Sequence, residues 1–317
     1  MKNGVICLGE ALIDFIPTDS SNTTYQKSPG GAPANVAVGL SKLGLESTFI
    51  GKLGDDSLGH NLYDTLKSYQ VNLEVSFTEE AKTAITLVEL SKEGDRSFEF
   101  YINPSADQFL RPADIKENLF KLNKILHFGS ISLIHQPSRS ATKQAIDTAK
   151  RLGLLVSFDP NIRHDLWEND DQIKREVHSI LREVDIIKLS EEELSFLTSV
   201  DDIGGGIEAL QKNKIPFIVV TLGDKGCWIV NGQHKIHIPA LSVNVLDTTA
   251  AGDAFVSGLL YCLNHIRGEL KNMDADQLKE IAVFSTVCGG LATTTKGAMS
   301  SLPYGNEVHS VIQKEFN

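Results

Sequence analysis

An α/β fold, with a mostly parallel sheet covered by helices on both faces, is predicted by two features of this sequence: short apolar β-rich runs bounded by turns, and helical patterns that separate them. Residues 5–9 form the first run, 34–43 the first helical pattern, 48–51 the next run and 58–68 the next helix. Later in the chain the alternation becomes regular, with apolar runs at 125–129, 154–159, 185–189 and 217–222. Two runs break the rhythm. Residues 84–90 (AITLVEL) and 97–102 (SFEFYI) are separated by the turn-rich SKEGD link, which predicts a β-hairpin. Such an insertion is either a lid or a decoration on a sheet edge, and the pattern leaves both open. Gly204, Gly205 and Gly206 read as a turn ahead of a helix.

At 317 residues the chain can bury roughly three quarters of its unfolded surface around one large core. Hydrophobic residues make up 41% and charged residues 22%, which excludes a largely disordered protein. No apolar stretch approaches the roughly 18 residues a membrane span needs. The opening MKNGVICLGEALIDF, interrupted by Glu10 and Asp14, reads as a first strand rather than a cleaved signal. A net charge of −11 disfavours nonspecific binding to nucleic acid or anionic membrane. Cys7, Cys227, Cys262 and Cys288 have neither metal-ligand nor redox spacing and are expected as reduced thiols of a cytoplasmic protein. His127 and His135 lack an HExxH context and read as core or rim histidines.

The densest candidate chemistry is DTTAAGDAF at residues 247–255, directly ahead of an apolar helical pattern at 256–263. Small residues before a buried helix let its first N–H groups face a ligand, and the helix dipole favours an anion there. Asp253 then falls in the first helical turn, where it is also a good structural residue, so the pattern alone leaves its role open. Upstream, Gly30 and Gly31 let backbone approach a ligand, and Asn35 offers a donor and an acceptor to hydroxyls. Ser190 and Glu193 have the spacing of a capping box, which leaves part of the Glu193 carboxylate for other ligands. There is no Gly-Lys-Ser/Thr phosphate loop, no GxGxxG and no GxSxG.

DTTAAGDAF resembles the DTxGAGD signature of the ribokinase-like (PfkB) carbohydrate kinases. GGAPANVA at 30–37, continuing through GKLGDDSLG at 51–59, is similar to that family's N-terminal signature. Between them, in the family's order, stand DPNIR at 159–163, KLSEEE at 188–193 in the place of NxxE, and TLGDKG at 221–226, which resembles TxGxxG. GEALID at 9–14 and TTTKGA at 293–298 with SLP at 301–303 complete the resemblance, which spans Asp14 to Pro303. Ala250 stands where the family usually has Gly, and Ser190 where it usually has Asn. If position 250 needed positive φ, Ala would be strained there. The resemblance implies a ribokinase-like three-layer α/β/α sandwich, one domain over residues 1–317, with a small β-sheet lid from roughly residues 10–30 and 80–108.

The same resemblance implies the site. Asp253 is the base, and Ala250, Ala251 and Gly252 complete an anion hole with it. Asp14, Gly30, Gly31, Asn35, Tyr101 and Arg163 meet the sugar, while Lys188, Glu193, Thr221, Gly223, Gly226, Lys296 and Gly297 meet ATP. Glu193 holds Mg²⁺ through water, and Asp247, Thr249, Gly297 and Ser301 hold a monovalent cation such as K⁺. The implied reaction is phosphoryl transfer from ATP to a primary hydroxyl of a sugar. DPNIR, SEEE and NPSAD at 103–107 together resemble fructokinases, so the 6-hydroxyl of D-fructose is the expected acceptor. The alternatives are 2-keto-3-deoxygluconate and ribose or another pentose. A noncatalytic binder of this fold has no use for Asp253, and a Rossmann oxidoreductase needs the missing GxGxxG. A homodimer through the lid is a further expectation.

Overall fold

The computed structural model describes residues 2–91 and 96–315. Its strands run in chain order as β1 (Val5–Leu8), β2 (Leu12–Pro17), β3 (Tyr25–Gly30), β4 (Ser47–Gly54), β5 (Asn72–Thr78), β6 (Ala84–Leu90), β7 (Arg96–Phe100), β8 (Ile125–Gly129), β9 (Leu155–Asp159), β10 (Ile186–Ser190), β11 (Phe217–Thr221), β12 (Cys227–Asn231) and β13 (Lys235–Ile238). The helices are α1 (Ala32–Lys42), α2 (Ser57–Ser68), α3 (Glu117–Leu122), α4 (Ser138–Leu152), α5 (Asp170–Ile180), α6 (Glu191–Thr198), α7 (Ile203–Gln211), α8 (Ala251–His265), α9 (Ala275–Ala292) and α10 (Gly305–Glu315).

Strand β1 shows why the sheet is covered on both sides. Successive side chains of a strand point to opposite faces. Val5 and Cys7 enter a core built with α1, α2, α8 and α9, while Ile6 and Leu8 enter a second core built with α4, α5, α6 and α7. Both faces are dry, so the strand reads as an unbroken apolar run. Among the described residues the main sheet has the order β13-β12-β11-β10-β9-β8-β1-β4-β5. It is parallel from β5 through β11, with β12 and β13 added antiparallel at one edge. This is the three-layer α/β/α sandwich.

A second sheet has the order β3-β2-β6-β7. The expected hairpin is there as antiparallel β6 and β7, although residues 92–95 of its turn lie outside the described residues. It is not an edge decoration of the main sheet, because β6 pairs in parallel with β2 and sets Thr86 opposite Asp14. The expected turn at Gly204–Gly206 is corrected: these glycines lie inside α7. Asp202 caps that helix by accepting from Gly205 N, and a Cβ on Gly206 would come within 2.8 Å of Leu194 Cγ. Close helix packing therefore uses the missing side chains. All four cysteines are free thiols. No helix among the described residues is long and apolar enough to cross a membrane.

Candidate active site

Helix α8 opens on small residues, and no side chain among the described residues caps it. Ala250 occupies the cap position with φ −108°, so Ala fits where the resembling family carries Gly, without strain. Ala251 N already donates to Thr248 O, which leaves the amides nearer Asp253 to face a ligand. Asp253 is buried, and Asn35 Nδ2 donates to its Oδ2 at 2.8 Å. Burial pushes the Asp253 carboxyl up to about 7, against the Asn35 hydrogen bond, with repulsion from Asp159 partly offset by Lys188 and Arg163.

Asp253 lines a polar pocket together with Asp14, Gly31, Asn35 and Arg163. Asp14 comes from β2, and burial raises its carboxyl to about 6. Gly30 makes room for it rather than lining the pocket, since a Cβ there would sit 2.5 Å from Asp14 Oδ2. Gly31 has φ +105°, and a Cβ would strike Glu10 O at 2.6 Å, so the turn into α1 requires glycine. Two polar atoms of pocket residues are buried without a hydrogen-bond partner among the described residues, Glu10 Oε2 and Asn35 Oδ1, while the Thr86 hydroxyl on the same pocket acts on Asp14. Buried polar groups are normally satisfied, so this pocket is built for a ligand rich in hydroxyls. Tyr101 does not line it. Phe98 and Phe100 share the face of β7 that does, whereas Tyr101 lies past the strand end, 59% exposed, with its hydroxyl on Glu99.

On the other side of the α8 N-terminus lies a cavity of about 560 Å³ lined by Thr221, Gly223, Gly226, Ala251 and Gly252. Gly226 has φ +96°, and a Cβ would lie 1.9 Å from Ile238 O, which admits no other residue. Lys296 is exposed and, like Gly297, lies outside this lining. Gly297 N instead donates to Asp247 Oδ2 at 3.0 Å, and Asp247 Oδ1 accepts from Thr249 N and Oγ1. The structure thus brings Asp247, Thr249 and Gly297 together, while Ser301 spends its hydroxyl proton on Ala298 O. Carboxylate and carbonyl oxygens there are hard donors suited to a monovalent cation.

Lys188, in the middle of β10, is buried with its Nζ 3.0 Å from Asp159 Oδ2. The amino group also borders Gly252, where a Cβ would come within 3.5 Å of Nζ. Glu193 and Ser190 form the expected capping box, yet both carboxylate oxygens of Glu193 accept backbone N–H groups, Oε2 from Ser190 and Oε1 from Ile162. Glu193 therefore fastens the Asn161–Arg163 segment to the start of α6. Among the described residues no group of three or more His, Cys, Asp or Glu could hold a metal. Asp159 Oδ1 is buried without a partner, and one such oxygen with Glu193 behind it fits a magnesium ion that keeps waters and takes its other oxygens from phosphates.

A parallel sheet with two cavities meeting at a helix N-terminus and a buried carboxyl defines a phosphotransferase-like site. The chain belongs to the pfkB family of carbohydrate kinases, which it matches over residues 2–304. It is 43% identical to a probable fructokinase-5 of Arabidopsis thaliana over 98% of each chain. Fructokinase from Vibrio cholerae O395, crystallised with fructose, ADP and calcium ion, superposes with a TM-score of 0.89 at 39% identity, covering 97% of this chain and 98% of that one. Fructokinase from Xylella fastidiosa with bound ATP gives a TM-score of 0.92 at 32% identity over the whole of both chains.

Sequence reasoning did not single out Glu10, Thr86, Phe98 or Phe100 for this pocket. Glu10 gave one signal, a charged residue interrupting an apolar run. The others became visible once β2 and β6 were paired.

Proposed function

We propose that this chain is an ATP-dependent fructokinase, transferring the γ-phosphoryl group of ATP to the 6-hydroxyl of D-fructose to give fructose 6-phosphate and ADP. One observation carries the reading: the first turn of α8 faces two cavities, with Ala251 and Gly252 on the larger and Asp253 on the polar one. A nucleotide in the first and a sugar in the second meet across that turn. Fructose is favoured over other sugars by the fructokinases among the relatives, one of them crystallised with fructose and ADP.

In this reading Asp253 takes the proton of the 6-hydroxyl as that oxygen attacks the γ-phosphorus and the bond to the ADP oxygen breaks. The amides at the start of α8 and the Lys188 ammonium take up charge on the transferred group. Asp14, Gly31, Asn35 and Arg163 hold the sugar, and the small sheet acts as a lid that excludes water. Glu193 through water, with Asp159 beside it, would hold magnesium, which neutralises phosphate charge when bound. Asp247, Thr249 and Gly297 would hold potassium. Four free thiols suit a reducing, cytoplasmic setting.

The test is a panel of sugars assayed for ADP release. D-fructose is expected to give the highest kcat/KM, EDTA to abolish turnover, and K⁺ to raise it over Na⁺. Faster turnover of 2-keto-3-deoxygluconate would overturn the choice of fructose, and full activity in EDTA the magnesium assignment. Asp14→Ala is expected to raise KM for fructose at least about tenfold and leave KM for ATP within about twofold, because a buried acceptor for sugar hydroxyls is lost.

A further inference from the structure

Glu10 follows β1 where the chain crosses from the main sheet into the small one, and it is 4% exposed. Its Oε1 accepts from Ala32 N at 3.1 Å, in the first turn of α1. Its Oε2 is buried without a partner among the described residues, and Glu10 lines the same pocket as Asp253. One turn along α1, Asn35 Oδ1 is likewise buried and unpartnered on that pocket. A hydroxyl can give one hydrogen bond and accept others, so a single sugar hydroxyl can satisfy two such atoms when one is a donor and the other an acceptor.

We propose that Glu10 is a substrate-reading residue whose Oε2 donates to a sugar hydroxyl oxygen, while that hydroxyl donates to Asn35 Oδ1. This rests on the fructokinase reading above. Oε2 can donate only when Glu10 is protonated, and burial pushes its carboxyl up to about 8, against backbone hydrogen bonds from its own N–H and from Ala32 and with Asp107 and Asp253 adding repulsion. The other ionisable groups on the pocket are Asp14, Asp253 and Arg163. Asp14, at about 6, is ionised at neutral pH and can only accept. Glu10 thus supplies a buried donor that Asp14 lacks and that Asp253 gives up when it ionises to act as base. A site that pairs particular hydroxyls rejects sugars that leave its buried groups unmatched.

The experiment measures KM for fructose and for ATP across about pH 6.5 to 9.5 for the wild type, Glu10→Gln and Glu10→Met. At neutral pH Glu10→Met is expected to raise KM for fructose at least about tenfold, with KM for ATP within about twofold. Glu10→Gln, whose amide can accept from Ala32 N and donate from the Oε2 position, recovers most of that loss. Above about pH 8 the wild-type KM for fructose climbs as Glu10 loses its proton, whereas Glu10→Gln stays flat. A residue that merely caps α1 would not produce that difference. A Gln variant that follows the wild-type alkaline rise, or a Met variant with wild-type KM for fructose, overturns the proposal. If Glu10→Met does not fold, the Gln profile decides. Wild type inert towards fructose strikes the fructokinase reading instead, and the same chains are then compared on whichever sugar the wild type phosphorylates.

Discussion

Asp253→Asn is expected to lower kcat by about 10² to 10⁴ while KM for fructose and ATP stays within about threefold. The amide has nearly the shape of the carboxylate, and its carbonyl oxygen can still accept from Asn35 Nδ2. The α8 amides, Asp14 and Asn35 keep their places, so binding is retained and the proton acceptor is lost. The wild-type carboxyl sits at about 7 in the fold, and a base works only when ionised. Activity is therefore present above about pH 7 and kcat/KM falls about tenfold per unit below it, a limb that the variant lacks. Stability moves the other way. A carboxyl raised in the folded state binds its proton more tightly there than in the unfolded chain, so ionising it costs stability as pH rises through about 7. Asp253→Asn should thus show an unchanged or higher Tm, with any gain largest at alkaline pH. A folded variant with more than about a tenth of wild-type kcat would remove Asp253 from the base role.

How far the sequence reached depended on whether a signal was local. Residues 125–129 were legible end to end because both faces of β8 are buried and the run is apolar apart from His127. Asp253, Ala251 and Gly252 were legible because the small residues and the helix they open are contiguous. The glycines of α7 were misread because composition marks glycine as a turn, whereas Gly206 is set by Leu194 from a different helix. Tyr101 and Phe100 are adjacent aromatics that nothing local tells apart, and the end of β7 decides which of them meets the pocket. Glu193 matched a capping box by spacing, but its second bond, to Ile162 N, comes from a segment 31 residues away in sequence. Glu10 was hidden for the same reason, since its burial is fixed by α1 and by the crossing into the small sheet.

Lys188→Met is expected to cost about 3–5 kcal/mol of stability and to lower kcat about 10²-fold, and adding Asp159→Asn is expected to recover most of the stability but not the rate. Burial works against the Lys188 charge, but Asp159, then Glu193 and Asp253, outweigh it and hold the ammonium above its ordinary range. With Lys188 gone, Asp159 remains as a buried carboxylate that has lost its ion-pair partner and is repelled by Glu193, which keeps its bonds from Ser190 N and Ile162 N. Neutralising Asp159 in the same chain removes that penalty, because an amide needs no counterion. The rate follows a different atom. Lys188 Nζ borders Gly252, at the helix turn where the two cavities meet, so in the proposed reaction the ammonium would face charge that develops during transfer. Its loss also removes one of the interactions that hold Asp253 down, moving the acid limb of kcat/KM to higher pH in the single variant, whereas neutralising Asp159 removes a repulsion at least as large and cancels that shift in the double variant. Urea unfolding measures the first effect and pH–rate profiles the second. A single variant as stable as wild type would show that Asp159 does not need Lys188, and a double variant with wild-type kcat would show that the ammonium has no part in the transfer.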